Sequence, residues 1–109
     1  MDEAIAVILV TAPDEPVARA LARALVEPGH AACVNLVPGL ASIYRWKGAV
    51  EEAREVLLVV KTTRARVENC RQAVARVHPY EVWEFVVLDA AQVDPRYAAW
   101  IAAETGGAE

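Results

Sequence analysis

Two long strand-like runs joined by a short turn constrain this chain more than any other feature. Residues 31–47, AACVNLVPGLASIYRWK, and residues 50–62, VEEAREVLLVVKT, both read as strands. Each is far longer than the about five to six residues of an ordinary strand. At about 3.3 Å per residue, a dozen residues reach about 40 Å, which overhangs any sandwich a chain this short can build. Lys47-Gly48 begins the turn between the two runs, and Pro38-Gly39 interrupts the first of them. An extended hairpin at about 40–56 is therefore predicted. Its free edges invite pairing with another chain, and its tip carries apolar weight in Ile43, Tyr44 and Trp46.

The rest of the sequence supplies a frame for that hairpin. AIAVILVTA, residues 4–12, is a continuous apolar run suited to a buried central strand. Asp14 is placed to cap a helix with Pro16 in its first turn, Val17, Leu21, Ala24 and Leu25 recur at helical spacing, and Pro28-Gly29 stop it. After the hairpin, TRARVENCRQAVARV predicts a second helix with Val67, Cys70, Val74 and Val77 inward, ended by Pro79. EVWEFVVLDA then reads as a fourth strand, and Asp94 as the cap of a short last helix holding Tyr97, Trp100 and Ile101. This order is the split βαβ pattern of an α+β, ferredoxin-like sandwich. It has βαββαβ plus a C-terminal helix and an antiparallel sheet ordered 4-1-3-2. At 109 residues the chain is one domain, 1–109.

Composition narrows the function classes. A hydrophobic fraction of 56% is high for so small a soluble domain, and points to apolar surface used in subunit contacts. A net charge of −4 without basic runs argues against nucleic-acid binding. Asp2 and Glu3 stand where a secretory leader wants positive charge, and no apolar run is long enough for a membrane span, so a soluble cytoplasmic protein is expected. Cys33 and Cys70 form no CxxC pair, and Cys70 falls on a helix's apolar face, so both read as buried thiols. His30, after Pro28-Gly29, reads as a solvent-facing loop residue.

The stretch HPYEVWEFVVL, residues 78–88, crowds a His, a Tyr, two Glu and a Trp into the mouth of the fourth strand. The sheet order places His78, Tyr80 and Glu84 near Val10 and Thr11. His78 and Glu84 can be read as two ligands for a borderline metal such as copper or zinc. The alternative gives them structural work: His78 caps the helix end, Tyr80 hydrogen-bonds across an interface, and Glu84 accepts from backbone or from Thr11. Cys33 and Lys61 lie at the other end of the sheet. Lys61, following VLLVV, either holds an anion or snorkels to the rim. No nucleophile elbow, P-loop, GxGxxG or HExxH occurs.

LVTAPDE, AACVNLVPGLASIYRWKG, EVLLVVKTT, HPYEVWE and YAAW together resemble the CutA family, the divalent-cation-tolerance proteins. The resemblance runs from about residue 8 to 101. The family usually reads HPYEVPE, and here Trp83 replaces that Pro, restoring a backbone donor but placing a large ring beside the candidate site. The resemblance implies a homotrimer like the PII signalling proteins, and a role in tolerance of metals such as copper. Three function classes follow. The first is a non-catalytic trimer of metal homeostasis, binding copper or another divalent cation weakly, or a partner. The second is a PII-like sensor with a small anionic metabolite in inter-subunit clefts formed by Cys33, Arg45, Lys61, Tyr80 and Trp83. The third is a cross-chain hydrolase. Tyr44 and Trp46 are assigned to the trimer interface.

Overall fold

The computed structural model describes residues 4–106. Asp2 and Glu3, on which the expectation about a leader rested, lie outside the described residues. The elements follow the order β1 (Ile5–Ala12), α1 (Glu15–Val26), β2 (Cys33–Trp46), β3 (Ala49–Thr63), α2 (Val67–Val77), β4 (Val86–Asp89) and α3 (Pro95–Glu104), with a single 3-10 turn at Arg64–Arg66 before α2. The sheet is antiparallel and ordered β2-β3-β1-β4, the 4-1-3-2 order read from its other edge.

Local chemistry sets the helix ends. The Asp14 carboxylate accepts from the Val17 amide at 2.9 Å, satisfying one of the free donors of α1. Ala18, Leu21 and Leu25 line the buried face of that helix. Asp94 caps α3 in the same way, accepting from the Arg96 amide at 2.9 Å. The α1 and α2 stripes meet the even-numbered side chains of β1 and β3. Ile8, Val10, Leu58, Val60, Leu21 and Val74 are fully buried together there. The opposite face is less covered: Val7, Leu9, Leu57 and Val59 are half-buried, Ile5 and Thr11 at its two ends are buried, and Val86 and Leu88 are exposed at its β4 edge.

The hairpin leaves this body as the sequence predicts. β2 and β3 pair from Cys33↔Lys61 to Trp46↔Ala49, and the molecule measures 48 Å along its long axis against 26 and 22 Å across. Lys47 and Gly48 both have positive φ, 50° and 85°, which closes a tight two-residue turn matched to the twist of the strands. At Pro38-Gly39 the register slips: Val37 faces Leu57, but Leu40 faces Glu55. Gly39, at φ 78°, takes up this bulge. The slip puts Leu40, Ser42, Tyr44 and Trp46 on the same side as Glu55 and Leu57, the helix-free side.

Three expectations are corrected. The fourth strand does not begin at Glu81 but at Val86, and residues 82–85 lie outside it. In the continued register Thr11 would face Glu84, but the Thr11 carbonyl is instead taken by the His78 ring. Val77 is not inward; it is 38% exposed, because the inward position at the end of α2 is occupied by buried His78. His30 is half-buried rather than in solvent. Its carbonyl accepts from the Thr62 hydroxyl at 2.6 Å and from the Cys70 thiol at 3.4 Å, tying the α1–β2 loop to β3 and α2. Burial pushes that Cys70 thiol up to about 11.

Candidate functional site

His78 organises the segment that follows α2. Its Nε2 lies 2.7 Å from the Thr11 carbonyl oxygen, and its Nδ1 lies 3.2 Å from the Tyr80 amide. A carbonyl can only accept and an amide can only donate. Nε2 therefore carries the proton and Nδ1 accepts, which describes a neutral ring with both nitrogens engaged. The ring also stacks on Trp83, centroids 6.1 Å apart and planes 19° apart, and Trp83 meets Phe85 edge-on at 5.9 Å. Trp83 packs against the core rather than facing outward. Its ring takes up inward space beside His78 and leaves the outer surface to its neighbours.

Pinning this segment to the end of β1 swings Tyr80 toward the hairpin. The Tyr80 hydroxyl donates to Glu55 Oε2 at 2.9 Å. Burial, then the neighbouring Glu55 carboxylate, pushes the Tyr80 phenol up to about 12. Glu55 is itself buried, with only 9% exposure, and none of the ion pairs among the described residues includes it. A buried carboxylate with one phenol as donor is an incompletely compensated charge.

Between hairpin and segment lies a cleft of about 660 Å³. Thr11 and Glu55 form its base, Ser42, Ile43, Tyr44 and Trp46 its hairpin wall, and Tyr80, Glu81, Val82 and Glu84 the other wall. Its lining carries three carboxylates and no basic side chain. Partial burial, and then repulsion by Glu55, raise the Glu84 carboxyl above its ordinary range. The Lys47 ammonium sits 5.5 Å from the centroid of the Trp46 ring, so that ring already serves as a platform for a cation.

The residues singled out in the sequence fall into separate places within one chain. Tyr80, Glu84, Tyr44 and Trp46 meet at the cleft. His78 stands behind it, joined to Tyr80 through its Nδ1. Cys33 and Lys61 face each other at the far end of the sheet. There Lys61 donates to the Asn35 side-chain carbonyl, and Cys33 lies beside Tyr97 of α3. Arg45 is exposed on the hairpin, opposite Val50, and does not line the cleft. Among the described residues no group of three or more His, Cys, Asp or Glu is placed to hold a metal ion. No helix among them is long and apolar enough to cross a membrane.

Glu55 is the site residue that sequence reasoning missed. It is one of three glutamates in EEARE, and composition does not separate them. Alternation sets aside only Glu52; Glu51 and Glu55 share the parity of Leu57 and Val59, and Glu55 is the one next to the core that enters the buried part of that face.

A ferredoxin-like body with an overlong hairpin and a pinned HPY segment defines a narrow class of small α+β proteins. The family model described as CutA1 divalent ion tolerance protein matches residues 6–104. A divalent-cation tolerance protein CutA from Thermus thermophilus is 50% identical over 100 residues, which is 92% of this chain and 97% of that one. A mouse protein CutA is 49% identical over 92 residues, covering 84% of this chain but 52% of the mouse protein, so the chain spans about half of that longer relative. The solved structure of the Thermus thermophilus protein superposes with a TM-score of 0.91 at 49% identity, over 94% of this chain and 99% of that chain. The chain belongs to the CutA1 family.

Proposed function

We propose that the chain is a non-catalytic divalent-cation tolerance protein that holds cations at the acidic cleft and works as a homotrimer. One observation carries the reading: the cleft gathers Glu55, Glu81 and Glu84 with no basic side chain in its lining, and Glu55 is buried with no cationic partner among the described residues. The names of the relatives, divalent-cation tolerance proteins, agree with that charge. Apart from the Trp46 indole nitrogen, the polar side-chain groups lining the cleft are oxygens, the donors that hard divalent ions prefer. Among the described residues no three His, Cys, Asp or Glu converge, so the ion keeps most of its water and is held chiefly by charge. Such binding is weak and exchangeable, as a protein that buffers a metal requires. Copper directly on His78 requires breaking the bond from the Tyr80 amide to Nδ1 or the bond from Nε2 to Thr11.

The half-covered helix-free face and the overhanging hairpin support an oligomer without fixing its number, and three is what the resemblance to the family implies. Tyr44 and Trp46 lie where a neighbouring chain would close over the hairpin. An anionic metabolite needs Lys61 and Arg45, which lie at opposite ends of one chain and meet only across subunits. The experiment is equilibrium dialysis with Mg²⁺, Mn²⁺ and Cu²⁺ on the wild type, Glu55→Gln/Glu84→Gln and His78→Ala. Loss of divalent binding in the double Gln variant is expected. Copper binding that survives it and disappears with His78→Ala would overturn the cleft as the site.

A further inference from the structure

The antiparallel ladder between β1 and β4 stops one rung short. The Ala90 amide donates to the Ile5 carbonyl at 3.0 Å, which makes Ile5 and Ala90 a hydrogen-bonded pair. Such pairs recur at every second residue, so Val7/Leu88 and Leu9/Val86 follow, and the next in register is Thr11/Glu84. The bond from the Arg64 amide to the Ala4 carbonyl agrees, since it turns the even residues of β1 toward β3 and leaves the odd ones for β4. The Thr11/Glu84 rung is not made. The Thr11 carbonyl accepts from His78 Nε2 at 2.7 Å instead, and β4 begins only at Val86. Thr11 is buried, yet its amide has no acceptor among the described residues. A buried amide in that state is uncommon, and the Glu84 carbonyl is the group the register offers it.

The missing rung has its parts in place. Trp83, Phe85 and Val87 all pack against the core, so the segment enters β4 already in strand phase. Glu84, between them, shares the cleft lining with Thr11. Residues 80–94 contain no proline, so no amide needed for pairing is lacking. Three bonds hold the segment in its present place. His78 Nε2 takes the Thr11 carbonyl, His78 Nδ1 takes the Tyr80 amide at 3.2 Å, and the Tyr80 hydroxyl donates to Glu55 of the hairpin at 2.9 Å.

We propose that residues 79–85 form a strap with two positions: the one described above, pinned by His78, and one in which Glu84 pairs with Thr11 and β4 lengthens back along β1. The two positions compete for one carbonyl. When the His78 ring leaves Thr11, its Nδ1 leaves the Tyr80 amide as well, and only the Glu55 bond still holds Tyr80 to the hairpin. That bond makes the hairpin the control: closed, it keeps the strap off β1, and open, it lets the strap zip on. The strap thus passes the position of the hairpin to the β4 edge of the sheet. This goes beyond the reading of the cleft as a cation site and does not depend on it.

Amide hydrogen exchange followed by NMR on the intact protein tests the strap, with the Val86 amide, which lies in the ladder to Leu9, as internal reference. In the wild type the Glu84 amide is expected to exchange at least about tenfold faster than that of Val86. His78→Ala removes the competitor for the Thr11 carbonyl and slows exchange at both Glu84 and Thr11 by about tenfold or more. Tyr80→Phe deletes one oxygen, keeps the fold, and slows both several-fold in the same direction. Circular dichroism verifies that His78→Ala is folded, and if it is not, Tyr80→Phe decides. A wild-type Glu84 amide as slow as that of Val86 overturns the inference, because β4 then has a single position. Unchanged or faster exchange at Glu84 and Thr11 in either folded variant also overturns it, and leaves His78 a plain clasp at the end of α2.

Discussion

The two halves of β3 belong to one strand and live in different physical worlds. Residues 56–63 pair with β1 on one side, and residues 57–61 pair with β2 on the other as well; Val56, Leu58, Val60, Thr62 and Thr63 are buried. Residues 49–55 have only β2, and up to Arg54 nothing in this half is buried; Val50 is 67% exposed, and Ile43 of the paired strand 71%. The inner half is held by the chain's own core. The outer half keeps backbone pairing but little apolar burial, and a two-stranded ribbon alone is marginal in water. Glu55 stands at the junction, the last residue before the core. The chain spends its strongest β-formers, VLLVV, on the inner half and its charges, EEARE, on the outer.

The largest expected effect breaks the inner half. Leu58→Ala empties a fully buried site and costs about 3 kcal/mol of unfolding free energy, whereas Val50→Ala in the outer half changes it by less than about 0.5 kcal/mol. Urea denaturation of both variants checks this, and equal costs would erase the distinction drawn between the halves.

The outer half is tested through assembly. Tyr44→Asp/Trp46→Asp places two charges on the hairpin face and is expected to leave far-UV circular dichroism unchanged while dissociating the proposed trimer. Sedimentation at sub-micromolar concentration reads the outcome. The wild type stays associated, and the variant approaches the 11.8 kDa of one chain. A folded 11.8 kDa wild type at that concentration removes the trimer itself.

The smallest effect concerns the junction. The Glu84 carboxyl titrates above its ordinary 4.5, first because it is partly desolvated and then because Glu55 repels its charge. The folded state thus holds that proton more tightly than the unfolded chain. The stability this gives is present below 4.5 and is lost as pH rises through the folded value. Glu84→Gln removes the slope, so the melting temperature of the wild type relative to the variant declines from acid toward neutral pH. Adding the cation that fills the cleft should restore the difference. Parallel melting curves for the two proteins would show that Glu84 feels neither burial nor Glu55.

Much of this architecture was legible in sequence because its signals are local. Asp14, Pro16 and Pro28-Gly29 bound α1 in the chain as they do in space, and the alternation through VLLVV marks the inner half of β3. β4 was misjudged because its start depends on a distant group. EVWEF has strand-forming residues throughout, but the imidazole of His78 occupies the Thr11 carbonyl beside the continued register. No local preference encodes that competition. The cleft was half legible. Tyr80 and Glu84 stood out as polar residues in an apolar setting, and Tyr44 and Trp46 as aromatic weight at a tip. Glu55 was hidden among like charges, and it gains its meaning from a phenol 25 positions away. The positions of Tyr44 and Trp46 were hidden as well, because simple alternation from Cys33 assigns them to the opposite side, and only the slip at Pro38-Gly39 brings them round.

That slip has a further consequence. The extra residue sits in β2 alone, so β3 runs through it without change of phase, and the body on one side and the tight turn on the other are each complete without it. A bulge bends and twists its strand locally. Positions 38 and 39 therefore act as an adjustable joint that sets the aim of the hairpin, and with it the gap across which the cleft opens. Gly39 has nothing within 4 Å of where a side chain would begin, so the joint is unobstructed on its outer side. Gaining or losing one residue there leaves the core contacts of β1 and β3 as they are but turns Tyr44 and Trp46 to the other face of the hairpin, and so remakes the cleft wall without any substitution. Divergence among relatives in what they grip can begin at this joint before any gripping residue has changed.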